Sequence, residues 1–178
     1  MDLAQSLIQT EGSDAVSFRT LAEGVGVKSS SVHYYFSTKD DLLFELTDRY
    51  SANFRKELQK ISSAKGNTME SLGRLIEIFK DTAKAGKICF CGALSAISER
   101  LDQRTLRSTQ RFVEELVVWV ETTIEIGQEK GDIGNSVEAR SVAQSIVALL
   151  EGALLLDRLG GSDSNLKHSD RMIRTMLK

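Results

Sequence analysis

The sequence predicts an all-α protein of about nine helices, with an N-terminal helix-turn-helix head and a helical body behind it. Three observations carry this. Proline is absent from all 178 residues, so no ring breaks a helix anywhere in the chain. Apolar residues recur every three or four positions over most of the length, which is the spacing of one helix face. No run reads convincingly as a strand, and 13 glycines supply the punctuation between helices.

The elements follow in order. Residues 2–11 make a short amphipathic helix with Leu3, Leu7 and Ile8 on one face, ended by Gly12. Ser17 is placed to cap a second helix, whose apolar face is Phe18, Leu21, Ala22 and Val25, stopped by Gly24 and Gly26. A third short helix runs through "KSSSVHY", with Val32 and Phe36 four apart on its inner face. Thr38 and Asp41 form a capping box, a hydroxyl at the cap and an acid three residues on. Behind them Leu42, Leu46, Tyr50, Phe54, Leu58 and Ile61 trace one long helix, about 36 Å if it covers roughly 24 residues.

"MESLGRLIEIFKDTAKAG" follows as a helix with Met69, Leu72, Ile76, Phe79 and Ala83 inward, and "CFCGALSAISERL" as a short one. A long helix closed by Gly131 carries two stripes, Phe112-Leu116-Trp119 and Val113-Val117-Val120-Ile124, so it is expected to be covered on both sides. Ser136 is placed to cap the next helix, and the tail carries a weaker stripe of Leu166, Ile173 and Met176. The expected division is a head over residues 1–44 and a body over residues 45–178.

Composition bounds the function. A hydrophobic content of 41% and a charged content of 27% are those of an ordinary soluble globular chain. The N-terminus is too polar and acidic for a secretory signal. The longest apolar run, "IVALLEGALLLDRL", is interrupted by Glu151 and ends at Asp157 and Arg158. It is expected to be core or dimer interface rather than a membrane span. Cys89 and Cys91 sit two apart, an awkward spacing for a disulfide, so a reduced, cytoplasmic protein is expected. No second cysteine pair or nearby histidine completes a metal site, and no catalytic set stands at working spacing. Neither enzyme nor cofactor is expected. Gly24-x-Gly26 has no strand before it and reads as a turn.

The stretch "LAEGVGVKSSSVHYYFSTKDDLL" sets serines beside aromatics, a mixture suited neither to a core nor to a solvated loop. Two short helices joined by a glycine turn are the layout of a helix-turn-helix. With Val32 and Phe36 inward, Ser29, Ser30, His33 and Tyr34 turn outward. Small hydroxyls let a helix sink into a major groove and bond base edges. His33, the Tyr34 and Tyr35 hydroxyls and Lys39 would meet phosphates at its rim. Formal charge gives no support: residues 1–44 hold Arg19, Lys28 and Lys39 against six acids. The two lysines, however, flank a stretch, residues 28–39, that contains no acid.

These residues resemble the DNA-binding head of the TetR family of bacterial repressors. The match covers roughly residues 2–45 and agrees at many offsets at once: the Ala22 to Gly26-Val27 run, the polar recognition helix, the aromatic triplet ending in Phe36, then Thr38-Lys39-Asp40 and Leu42-Leu43. The resemblance implies that Ser29, Ser30 and Ser31 begin the recognition helix and that Arg19 reaches a base or phosphate. It further implies that His33, Tyr34, Tyr35 and Lys39 clamp phosphates. The family usually carries a basic arm and a longer first helix before the counterpart of Asp2, whereas this sequence starts at Met1. The expectation is therefore an arm outside this sequence or weak minor-groove contacts.

The body, through "CFCGALSAISERLDQRTLR" and "IVALLEGALLLDRL", is similar to the subgroup containing the repressor of N-ethylmaleimide reductase, an electrophile sensor. The resemblance implies a repressor that binds a palindromic double-stranded operator as a homodimer through roughly residues 136–177. A small-molecule or electrophile effector would release it. Candidate effector residues are Cys89, which occupies that subgroup's cysteine position, Cys91, and the rings of Phe79, Phe112 and Trp119, for which core packing is the competing fate. The alternative reading is a dimeric helical ligand-binding protein without DNA binding, in keeping with the acidic head.

Overall fold

A computed structural model describes residues 1–134 and 138–178. Among these, nine α-helices follow one another: α1 (Asp2–Glu11), α2 (Phe18–Val25), α3 (Ser29–Tyr35), α4 (Lys39–Ser63), α5 (Thr68–Lys84), α6 (Phe90–Ser95), α7 (Gln103–Lys130), α8 (Ala139–Gly160) and α9 (Ser164–Met176). Two single 3-10 turns, Ser13–Ala15 and Ser98–Arg100, complete the order, and no strand occurs among the described residues. The Ser136 cap lies outside the described residues. The cap of α8 is Glu138, whose carboxylate accepts from the Arg140 and Ser141 amides.

The chain divides into two compact units. The first combines Met1–Asn53 with Lys87–Phe112, and the second combines Phe54–Gly86 with Val113–Lys178. In the first, α1 packs on α2 and α6, and Ala4, Ile8, Leu46, Phe90 and Cys91 are fully buried. Each large apolar side chain so enclosed contributes about 1.5–3 kcal/mol. The contact of α1 with α6 is fixed by a reciprocal pair of bonds. The buried Gln9 donates its amide to the Ile88 carbonyl (3.0 Å), and the Ile88 N–H donates to the Gln9 carbonyl (3.1 Å).

In the second unit α5, α8 and α9 pack on one another around Leu72, Leu75, Ile76, Ile146, Leu150 and Ile173. Leu75 was not on the expected stripe, which followed the 72-76-79 register and passed over its neighbour. Asp132 accepts from the Thr68 amide and hydroxyl at the start of α5 (both 3.3 Å). Asp157 of α8 does the same for α9, accepting from the Asn165 and Leu166 amides at 2.8 and 2.9 Å.

Several details depart from the periodicity. Gly24 does not stop α2, which runs to Val25 and is closed by Gly26 alone. Val25 is 56% exposed, because it is the last helical residue and nothing packs over it there. Phe36 lies one residue past α3 and is half-buried. On α7, Phe112, Leu116, Val117, Val120 and Ile124 are buried, whereas Val113 is exposed and Trp119 half-buried. The helix therefore buries one broad face and not two. Within α8, 22 residues long, a window of mean hydropathy 1.4 is long and apolar enough to cross a membrane, further than the interrupted run suggested. Its Ala143, Ile146, Leu150 and Leu154 nevertheless fill the core of the second unit.

Candidate nucleic-acid interface

The head is built around one left-handed glycine. Ser17 caps α2, its hydroxyl accepting from the Thr20 amide at 3.0 Å. Gly26 ends the helix at φ 72°, ψ 34°, a conformation that costs a side-chain-bearing residue and is free to glycine. Its turn is closed by the Val27 amide donating to the Ala22 carbonyl at 2.9 Å. Two residues earlier, Leu3 of α1 lies so close to Gly24 that a Cβ there would collide with it. The two glycines thus do different work: one turns the chain, the other admits the first helix.

Past this turn α3 presents two unlike faces. Val32 is buried, while Ser29, Ser30, Ser31, His33, Tyr34 and Tyr35 are exposed. The tyrosines are the extreme cases, 84% and 75% exposed, and they meet edge to face at 5.3 Å. Two aromatic side chains left in water on a seven-residue helix have no role in the protomer's own core. His33 is held edge-on against the Phe18 ring at 4.5 Å, which orients the imidazole. Lys28, at the cap of α3, is exposed.

Two expected phosphate contacts are already engaged. Arg19 pairs with Glu23 at 2.9 Å, both well exposed, so that bond can exchange. Lys39 is half-buried and donates to the Ser13 carbonyl at 2.7 Å, which fixes the first residue of α4 on the 3-10 turn after α1.

The capping box at the start of α4 forms as expected. The Thr38 amide and hydroxyl donate to Asp41 Oδ2, and the Asp41 amide donates to the Thr38 hydroxyl at 3.1 Å. The other carboxylate oxygen of Asp41 accepts from Arg104 at 2.8 Å. Arg104 also bonds Asp102 at 3.1 Å and lies 5.1 Å over the Phe44 ring. Its bond, then those from Thr38, hold the Asp41 carboxyl below its ordinary range. Helical spacing does not single out Arg104, since its partner is 63 residues away.

The candidate effector residues are divided between the two units. Cys89 and Cys91 are both buried thiols, not joined in a disulfide. Cys89 stands at the cap position of α6 without a side-chain capping bond, its sulfur 3.9 Å from the Tyr50 hydroxyl. Phe112 belongs to the same unit and stacks with Tyr50, which also meets Phe90, at 5.4 and 5.2 Å. Phe79 and Trp119 belong to the second unit. Phe79 is buried there, and the Trp119 indole N–H donates to Ser62 at 2.9 Å. Among the described residues no group of three or more His, Cys, Asp or Glu side chains is placed to hold a metal ion.

Two short helices set by a left-handed glycine, the second with a hydroxyl-rich outer face, define the head as a helix-turn-helix of the transcription-regulator class. Residues 1–46 match the profile "Bacterial regulatory proteins, tetR family", and residues 68–174 match "Tetracyclin repressor-like, C-terminal domain". The chain belongs to the TetR family of bacterial regulatory proteins. No curated protein matches it.

Among solved structures, a TetR transcriptional regulator from Legionella pneumophila superposes with a TM-score of 0.90 at 24% identity, over 99% of this chain and 94% of that one. A TetR-family regulator from Agrobacterium tumefaciens gives 0.94 at 21%, with the same coverage. The reduced form of Escherichia coli NemR gives 0.86 at 20%, again over 99% and 94%. At these identities the likeness is one of fold.

Proposed function

We propose that this protein is a dimeric, effector-released transcriptional repressor that reads a palindromic operator with α3. The observation that carries the reading is the outer face of α3. Its hydroxyls Ser29, Ser30 and Ser31 suit base edges, and its rim of Lys28, His33, Tyr34 and Tyr35 suits phosphates. Arg19 joins that rim by exchanging Glu23 for DNA. Lys39, held on Ser13, acts by fixing the start of α4.

The partner is a second copy of the chain, docked through α8 and α9, where Leu155, Leu156, Leu159 and Met172 are exposed. Two-fold symmetry would then present two reading helices to two half-sites. The effector is a small molecule or an electrophile taken up by the helices behind the head. Phe79, Phe112 and Trp119 are candidates for its apolar contacts and Cys89, then Cys91, for a reacting thiol. α4, unbroken from Lys39 to Ser63 and contributing to both units, would carry the change to the head. A DNA-binding regulator of this kind works in the cytoplasm.

The test is selection of bound duplexes from a random pool, followed by affinity measured against salt concentration. A repressor enriches an inverted repeat and loses affinity steeply as salt rises, because phosphate contacts release counterions. A dimeric ligand-binding protein that does not bind DNA enriches nothing.

A further inference from the structure

The geometry points to a second DNA-backbone contact on the first turns of α7, made by Arg107 and Arg111 beside Arg104. The inference rests on the DNA-reading function proposed above and extends it to a surface outside the helix-turn-helix. It starts from a charge deficit. Residues 1–53 hold four cations against eight acids, a poor surface for a polyanion. The other part of the same compact unit, residues 87–112, holds five cations against two acids. The cations that the head lacks are supplied there.

Their arrangement is specific. Arg104, Arg107 and Arg111 stand at helical spacings of three and four, so they share one narrow face of α7. All three are exposed. Every other arginine described donates to a carboxylate, a carbonyl or a histidine. Among the described residues Arg107 and Arg111 make no ion pair and no side-chain hydrogen bond, and the acids one turn past Arg111, Glu114 and Glu115, are bonded to Arg140 and Arg55 instead. Like charges one turn apart repel along a helix, and among the described residues no carboxylate bonds Arg107 or Arg111 to offset that repulsion. An external anion does.

The head says which anion. The stripe begins at Arg104, whose bond to Asp41 anchors it to the capping box directly behind α3. From Arg104 to Arg111 the helix advances about 10 Å, over which duplex DNA carries about six phosphate charges. A phosphate backbone flanking the half-site read by α3 is the occupant that matches this sign, spacing and neighbourhood. Arg104 itself is committed to Asp41 and Asp102, which leaves Arg107 and Arg111 as the two contacts.

The experiment compares wild type with Arg107→Gln/Arg111→Gln and with Arg107→Lys/Arg111→Lys. The probes are a selected operator duplex and an unrelated duplex of the same length. Neither arginine has a partner to lose, so both variants should melt and sediment as wild type does. The expected result is that the glutamine variant loses affinity for both duplexes by the same factor. Its plot of log K against log salt should be shallower by nearly 2, at about 0.9 per phosphate contact. The lysine variant should keep the wild-type slope.

An unchanged slope for the glutamine variant, with wild type still binding its operator, overturns this contact and leaves the DNA-reading function standing. Conversion of the glutamine variant from dimer to monomer assigns the stripe to a protomer contact and overturns it as well. Failure of wild type to bind any duplex removes both readings together.

Discussion

Arg104 and Asp41 meet at 2.8 Å across 63 residues of sequence, and Asp41 spends its second carboxylate oxygen on the Thr38 amide and hydroxyl. The start of α7 is thereby joined to the junction between α3 and α4. Both side chains are partly exposed, so the pair adds little to global stability; its effect is local. Arg104→Ala should leave the melting temperature nearly unchanged while amide hydrogen exchange at Thr38 and Asp41 accelerates. Because the folded carboxyl is held below its ordinary value of 3.8, this tie is complete above that pH and fails as the pH drops beneath it. Equal exchange in the variant and wild type would show that the capping box does not depend on Arg104.

The outer face of α3 separates two kinds of contact. Tyr34→Ala removes a rim side chain and should weaken binding to every duplex by a similar factor. Ser29→Ala or Ser30→Ala should instead change which half-site sequence is enriched. Selection from a random pool with each variant distinguishes the two. Loss of specificity in both classes alike would falsify α3 as the reading helix.

What the sequence made legible depended on range. Caps and turns rest on residues three or four apart, and Ser17, Gly26 and the Thr38–Asp41 box all formed as their spacing required. The inner faces were legible in the main, but Leu43, Leu75 and Leu177 are buried off the expected stripes, while Val25 and Val113 are exposed and Trp119 and Met176 half-buried on them. Contacts between elements were not. Gln9 to Ile88, Lys39 to Ser13 and Arg104 to Asp41 join residues 79, 26 and 63 positions apart, and no periodicity records such pairs. The motif assigns Lys39 to a phosphate, while the fold gives its ammonium a carbonyl. The spacing of Arg104, Arg107 and Arg111 stood in the sequence, but only the fold shows that two of them are unpaired.

The proposed dimer surface can be separated from the core by two leucines of α8. Leu154 is 1% exposed and Leu159 is 86% exposed. A charge at Leu154 should therefore unfold the protomer, since it places an uncompensated carboxylate in the interior. Leu159→Asp should fold, sediment as a monomer and bind operator poorly. Dimers of unchanged mass from Leu159→Asp, alone and combined with Leu155→Asp, would exclude this face.

Thiol sensing meets a physical obstacle in burial. Cys89 is 5% exposed and Cys91 is fully buried, and a sensor thiol must be both ionised and reachable. Maleimide labelling of the native protein should be far slower than labelling in urea, and slower at Cys91 than at Cys89. If a quinone releases the operator from wild type but not from Cys89→Ser, opening of the α6 cap precedes reaction. Induction that persists with both cysteines replaced by serine assigns release to reversible binding.

The last helix hangs on one carboxylate. Asp157 is 2% exposed, and burial by itself would push its pKa up. The amides of Leu166 and Asn165, with the Asn165 side chain, donate to it and outweigh that penalty, so the net direction is down from 3.8. It serves α9 as a cap supplied from α8, since Asp163 at the helix's own cap position makes no capping bond. Asp157→Ala leaves the Asn165 and Leu166 backbone amides and the Asn165 side-chain amide without that partner and should cost about 2 kcal/mol by urea denaturation at neutral pH. Asp157→Asn, which keeps one acceptor oxygen, should cost roughly half of that. A group whose folded pKa is depressed stabilises the fold above its unfolded value and loses that contribution as the pH falls toward the folded one. The gap between wild type and Asp157→Ala should therefore hold steady from neutrality down to about pH 5 and close below pH 3.8. A gap that widens on acidification, or none at neutral pH, would mean that Asp157 does not hold α9, which its apolar contacts through Leu166 and Ile173 and the Lys80–Asp170 ion pair then secure.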